Sequence, residues 1–115
     1  MAAIHDIQPW IATPDKVTAA IRKIIEVGKP LNLILFGSYV QGNMNIDSDV
    51  DFLVVTCDDI QNPRKESIRI RRELRGIPMP MDILVVPKSQ WELLKDQPGL
   101  IYREIRTKGK VVYES

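Results

Sequence analysis

The chain has 115 residues, with 16 Lys or Arg against 15 Asp or Glu, for a formal net charge of +1. That length predicts one domain over residues 1–115, large enough for a real core and too small for a second, substrate-binding domain. The near-zero charge gives no electrostatic footprint for nucleic acid, and the lack of any run of about 18 apolar residues excludes a membrane-spanning helix.

Thr13-Pro14 is a helix start, with Thr as cap and Pro in the first turn. Val17, Ala20, Ile21, Ile24 and Val27 repeat on one face and Gly28 ends the pattern, which predicts a helix over 14–28. The apolar run 31–36 reads as a strand that stops at Gly37-Ser38, and a very short helix follows from Ser38 to Gln41. A second strand is predicted over 49–56. Asn62-Pro63 opens a helix of about 63–75 that carries Arg64, Lys65, Arg69, Arg71, Arg72 and Arg75 against Glu66 and Glu73. Ile68, Ile70 and Leu74 give it an apolar side. Its basic run has two readings: a solvated face with intrahelical pairing, or a surface for triphosphate, RNA or an acidic protein.

Met81 to Val86 is the third strand, ended by Pro87. Ser89-Gln-Trp-Glu92 reads as a capping box for a helix reaching about Lys95. Pro98 opens another helix, about 98–108, and Gly109 closes it. Lys110 to Tyr113 is a short edge strand. Trp91 and Tyr102 are read as core or interface aromatics. The alternation of helix and strand predicts an α/β layer architecture. The first residues lack the basic start and apolar core of a signal peptide, and Cys57 stands alone, so a reduced, cytoplasmic setting is expected.

The segment from Leu35 to Val55 is the most informative. Gly37-Ser38 and Gly42 are followed by Asp47, Asp49 and Asp51 at a spacing of two, leading into Phe52-Leu-Val-Val55. A strand places alternate side chains on one face, so Asp49 and Asp51 point the same way, about 6.5–7 Å apart along the chain. Like charges that close favour a cation between them. An EF-hand loop is excluded, because its sixth position would be Phe52 and its twelfth Asp58. No Gly-Lys-Ser/Thr follows Gly37, which excludes a P-loop, and Gly37 and Gly42 do not form a dinucleotide-binding glycine pattern. Asp82, at the head of the third strand, supplies one more carboxylate. Alone it would be a strand-edge acid. On a strand beside the Asp49/Asp51 strand it completes a set suited to two Mg²⁺ ions, the clamp of an in-line phosphoryl displacement.

Gly37-Ser38, Gly42, Ser48-Asp49-Val50-Asp51 and Asp82 together resemble the signature of the DNA polymerase β-type nucleotidyltransferases, and more closely the minimal nucleotidyltransferases. The resemblance covers a core of about 31–113. It implies a short mixed sheet with helices mainly on one face. It also implies attack of a hydroxyl on the α-phosphate of a nucleoside triphosphate such as ATP, with Mg²⁺ (or Mn²⁺ as substitute) as cofactor. Carried over, Asp49, Asp51 and Asp82 become metal-holding, catalytic residues, with Asp82 on the nucleophile side. Gly37, Ser38, Gly42 and Ser48 become nucleotide-binding residues. Gln41 departs from the pattern, since many relatives carry a basic residue just before the second Gly.

Minimal nucleotidyltransferases are often paired with a small helical HEPN toxin. The resemblance therefore implies an antitoxin that transfers AMP to a tyrosine hydroxyl of that partner, with nucleic acid not the direct substrate. Two other readings stand beside it. One is a non-catalytic antitoxin or binding module acting by contact. The other is a small-molecule nucleotidyltransferase whose acceptor pocket is made by a separate subunit.

Overall fold

Thr13 starts the first helix as its sequence predicts. In the computed structural model, which describes residues 11–42 and 49–115, its backbone is extended and its hydroxyl accepts from the Lys16 amide at 3.3 Å. Helix α1 then runs Pro14–Gly28 and buries Val17, Ala20 and Ile24. Gly28 is its last residue, and the left-handed turn falls one position later, on Lys29 at φ 44°. The glycine serves packing instead: a Cβ at 28 would sit 3.2 Å from Ile70 Cδ1.

Strand β1 (Asn32–Phe36) leads through Gly37 into the single-turn helix α2 (Ser38–Gln41). Strand β2 is Val50–Thr56, and α3 is Pro63–Glu73, capped by the Asn62 side chain on the Lys65 amide at 3.1 Å. Strand β3 is Met81–Pro87, α4 Lys88–Leu94, α5 Ile101–Lys108 and β4 Lys110–Glu114. The sheet order is β3-β2-β1-β4. β1 is antiparallel to β2 and β4, while β2 and β3 run parallel, joined through α3. This is a mixed sheet in an α/β arrangement, as expected.

Alternation along β2 divides the core between the two faces of the sheet. Val50, Phe52 and Val54 pack with Leu33, Leu35, Ile83 and Val85 beneath α1 and α3. Leu53 and Val55 face the other way, toward Ile34, Val86, Trp91 of α4 and Ile105 of α5. Trp91 and Tyr102 meet edge to face, centroids 6.4 Å apart, and so belong to the core. The two longer helices cover one face and the two shorter ones the other. Among the described residues no helix is long and apolar enough to cross a membrane.

Three local expectations are corrected. Ile68 is exposed, and α3 buries Ile70 on its own span, with Leu74 just beyond. The Ser89/Glu92 capping box does not form. Helix α4 begins at Lys88, the Ser89 amide donates to the Asp58 carboxylate at 2.9 Å, and Glu92 pairs with Lys95 at 2.5 Å. A carboxylate from another loop has taken the amide that the Glu92 side chain would have capped. Pro98 does not open α5, because Gly99 takes φ 82° and the helix starts at Ile101 after an extended Leu100. Cys57 follows β2 directly, is exposed, and donates its thiol hydrogen bond to Asp59, which raises the thiol pKa.

Candidate active site

β1 ends at Phe36, which lies opposite Asp51 in the antiparallel register. The chain turns away at Gly37, at φ 80° and ψ −156°, a conformation that suits only glycine. A Cβ at this position would overlap the Asp51 carboxylate. Gly37 is therefore required twice, by its backbone and by the carboxylate against it. The turn then closes on α2, where the Gln41 amide donates to the Gly37 carbonyl at 3.2 Å and the Gly42 amide to the Ser38 carbonyl. Ser38 is half-buried as the first residue of α2, and Gly42 is exposed as its cap.

Asp51 and Asp82 are partners in the parallel β2/β3 register. Both lie on the face shared by Leu53, Val55 and Val86, at the end of the sheet where the two strands begin. Asp49 is exposed, immediately ahead of β2. The Asp51 carboxyl is raised from 3.8 to about 6, by burial first, then by the charge of Asp82, then by that of Asp49. The three acids thus share one electrostatic neighbourhood. Asp82 turns one oxygen to the Arg71 guanidinium at 2.8 Å. Among the described residues no three His, Cys, Asp or Glu side chains are gathered as a ready metal-ligand set. The donor chemistry nevertheless fits a hard divalent cation: the groups are carboxylate oxygens, and their mutual repulsion is what such a charge relieves. Asp47 and Ser48 lie outside the described residues.

Two cations near the site were not singled out by the sequence. Arg71 was one of six basic residues on a helix, and only the fold shows that it reaches Asp82. Lys108, from the last turn of α5, lines a recess of about 240 Å³ together with Gly37, Gln41 and Glu104. Its ammonium lies 3.2 Å from the Glu104 carboxylate. The β1/β4 pairing, which sets Leu35 against Lys110, is what carries the end of α5 to the Gly37 turn. Linear spacing holds no sign of that approach.

Comparison with known proteins gives concordant results. A family model described as "Polymerase beta, Nucleotidyltransferase" matches residues 19–115. Three solved structures are similar. One, a crystal structure of a toxin-antitoxin with AMP-PNP, is 23% identical over 84% of this chain and 73% of that one, with TM-score 0.54. A second, a putative nucleotidyltransferase from Sulfolobus solfataricus, is 16% identical over 90% of each chain, with TM-score 0.53. The third, also a putative nucleotidyltransferase, is 20% identical over 84% of this chain and 97% of the other, again at 0.53. At these identities the likeness is one of fold. A search of curated proteins gives no match.

Proposed function

The chain belongs to the polymerase beta nucleotidyltransferase family, and we propose that it forms a single Mg²⁺-dependent domain that transfers AMP from ATP to a hydroxyl. The observation that carries this reading is the pairing of Asp51 with Asp82 across parallel strands, with Gly37 pressed against the Asp51 carboxylate. Acid-bearing strand ends beside a glycine turn are what a triphosphate and its cations require.

In this reading Asp49 and Asp51 hold the metal and Asp82 completes the set on the acceptor side. Bound there, two Mg²⁺ ions would offset the carboxylate charge and stabilise charge building on the phosphoryl group, and Mn²⁺ would substitute. The chain's own residues do the rest. The Gly37-Ser38 turn lets backbone approach the outer phosphates, and Gly42 and Ser48 complete the nucleotide contacts. Lys108 brings a positive charge to the recess where Gln41 offers only a neutral amide. The acceptor hydroxyl attacks the α-phosphorus. A new P–O bond forms, the bond to the β-phosphate oxygen breaks, and pyrophosphate leaves. Asp82 accepts the hydroxyl proton, and Arg71 on its other oxygen orients it.

The acceptor is a tyrosine hydroxyl on a helical HEPN-type toxin in the same cytoplasm, which makes this chain an antitoxin. The similarity to a toxin-antitoxin structure with AMP-PNP supports a partner protein and a nucleotide. The test is transfer from ATP labelled on its α-phosphate, with Mg²⁺, in lysate of the source cell, run beside the Asp49→Asn/Asp51→Asn double variant. One labelled protein band, lost in the variant, is the expected result. Label in RNA or a small molecule would keep the chemistry and reject the antitoxin role. A second reading, a binding module that neutralises its partner by contact alone, draws on Gln41 and on the Arg71 hold on Asp82. It predicts no label anywhere and full neutralisation by the double variant.

A further inference from the structure

Strand β3 is an edge of the sheet, and a groove of about 300 Å³ lies beside its first residues. Leu74, Ile77, Met79 and Met81 form the apolar floor, and Arg71 and Arg75 stand on the lining. The floor is built. The Ile77 amide donates to Leu74 and the Met79 amide to Ile77, each at 3.0 Å, and the Lys16 ammonium holds the Pro78 carbonyl at 2.8 Å.

The groove adjoins the proposed acceptor side. Met81 precedes Asp82 directly, and the Arg71 guanidinium runs from the groove to the Asp82 carboxylate. Its lining carries two cations, Arg71 and Arg75, and Arg72 is exposed nearby on α3 beside the exposed Glu73. Among the described residues no aromatic side chain lines the groove. Single-stranded nucleic acid is gripped by cations together with aromatic platforms, so an apolar floor of Met, Leu and Ile favours a protein side chain over a base. A small apolar pocket flanked by two arginines, Arg71 and Arg75, complements an apolar anchor beside carboxylates.

We propose that this groove docks an acidic segment of the partner protein, anchored by one apolar side chain, and so delivers the acceptor hydroxyl to Asp82. The inference rests on the transferase reading for its purpose, but the docking itself is measurable without transfer. It gives the basic face of α3 a role: Arg75 reads the carboxylates of the segment, and Arg71 links the docked segment to the site.

The probe is a fluorescein-labelled random copolymer of Glu and Tyr, titrated with the full chain and followed by anisotropy. Polyglutamate, a Lys/Tyr copolymer and oligouridylate serve as comparisons. The Glu/Tyr copolymer should bind best, and Arg75→Glu should weaken it by about tenfold or more. Lys65→Glu, on the same helix away from the groove, should change it by less than about threefold. Matching melting curves would show that both exposed substitutions leave the fold intact. The proposal is overturned if the wild type does not bind, if polyglutamate or oligouridylate binds as well, or if the two charge reversals act alike. Transfer measured beside binding separates the two ideas. Binding without transfer in the wild type defeats the transferase reading and leaves the groove standing. Transfer with Arg75→Glu unaffected does the reverse.

Discussion

The Gly37 backbone lies so close to the Asp51 carboxylate that no side chain can stand between them. Gly37→Ala meets two penalties at once, a Cβ in the space of the carboxylate and a left-handed φ of 80°. The variant should lose about 1–3 kcal/mol of stability, read by denaturant unfolding, and its transfer should fall further than its folded fraction. Unchanged transfer would remove Gly37 from the site.

Asp51 makes stability depend on pH in an unusual direction for a carboxylate. Its folded pKa, about 6, lies above the ordinary 3.8, so between those values the folded chain holds a proton that the unfolded chain has released. The contribution of this residue is full below about pH 4 and declines as pH rises to 6, beyond which it is constant. Melting temperatures from pH 4 to 8 should show a smaller loss toward high pH in Asp51→Asn than in the wild type. Added Mg²⁺ should restore stability to the wild type above pH 6 and do little for the variant.

Lys108 should matter to ATP and little to the chemical step. Lys108→Gln is expected to raise KM for ATP about tenfold with kcat nearly unchanged, the signature of lost uniform binding. Introducing Lys at position 41, on the same recess, should recover most of it. Initial rates against ATP concentration decide the matter, and an unaltered KM would take Lys108 out of the nucleotide site.

Lys29 holds a left-handed backbone that glycine would hold with less strain. Lys29→Gly should therefore stabilise the chain by about 0.5 kcal/mol, after the entropy glycine adds to the unfolded state. Equal or lower stability in urea unfolding would mean that the Lys29 side chain contributes packing that offsets the strain.

The sequence was legible wherever the physics was local. Thr13-Pro14 and Asn62-Pro63 announced their helices because a cap acts on an amide three residues away. The Gly37 turn was readable because a positive φ is written within a few residues, while strand alternation places Asp51 but not Asp49, which lies just ahead of β2. Asp82 was legible as a strand-head acid, but its register with Asp51 is a property of the pairing. The misreadings share one cause. Ser89 resembled a cap, but Asp58, from a loop 31 positions away in sequence, took the amide. Arg71 was lost in a crowd of like residues, and Lys108 reaches the Gly37 turn only after β4 has paired with β1. Pro98 misled because Gly99 beside it prefers a turn.

The parallel pairing of β2 and β3 also has a temporal side. A ribosome releases Asp49 and Asp51 well before Asp82, and Lys108 later still. Until β3 crosses over α3 and lies down beside β2, the early carboxylates have no opposing acid and no Arg71 contact between α3 and Asp82. The carboxylates of the candidate site therefore meet only after β3 has been made and has paired with β2.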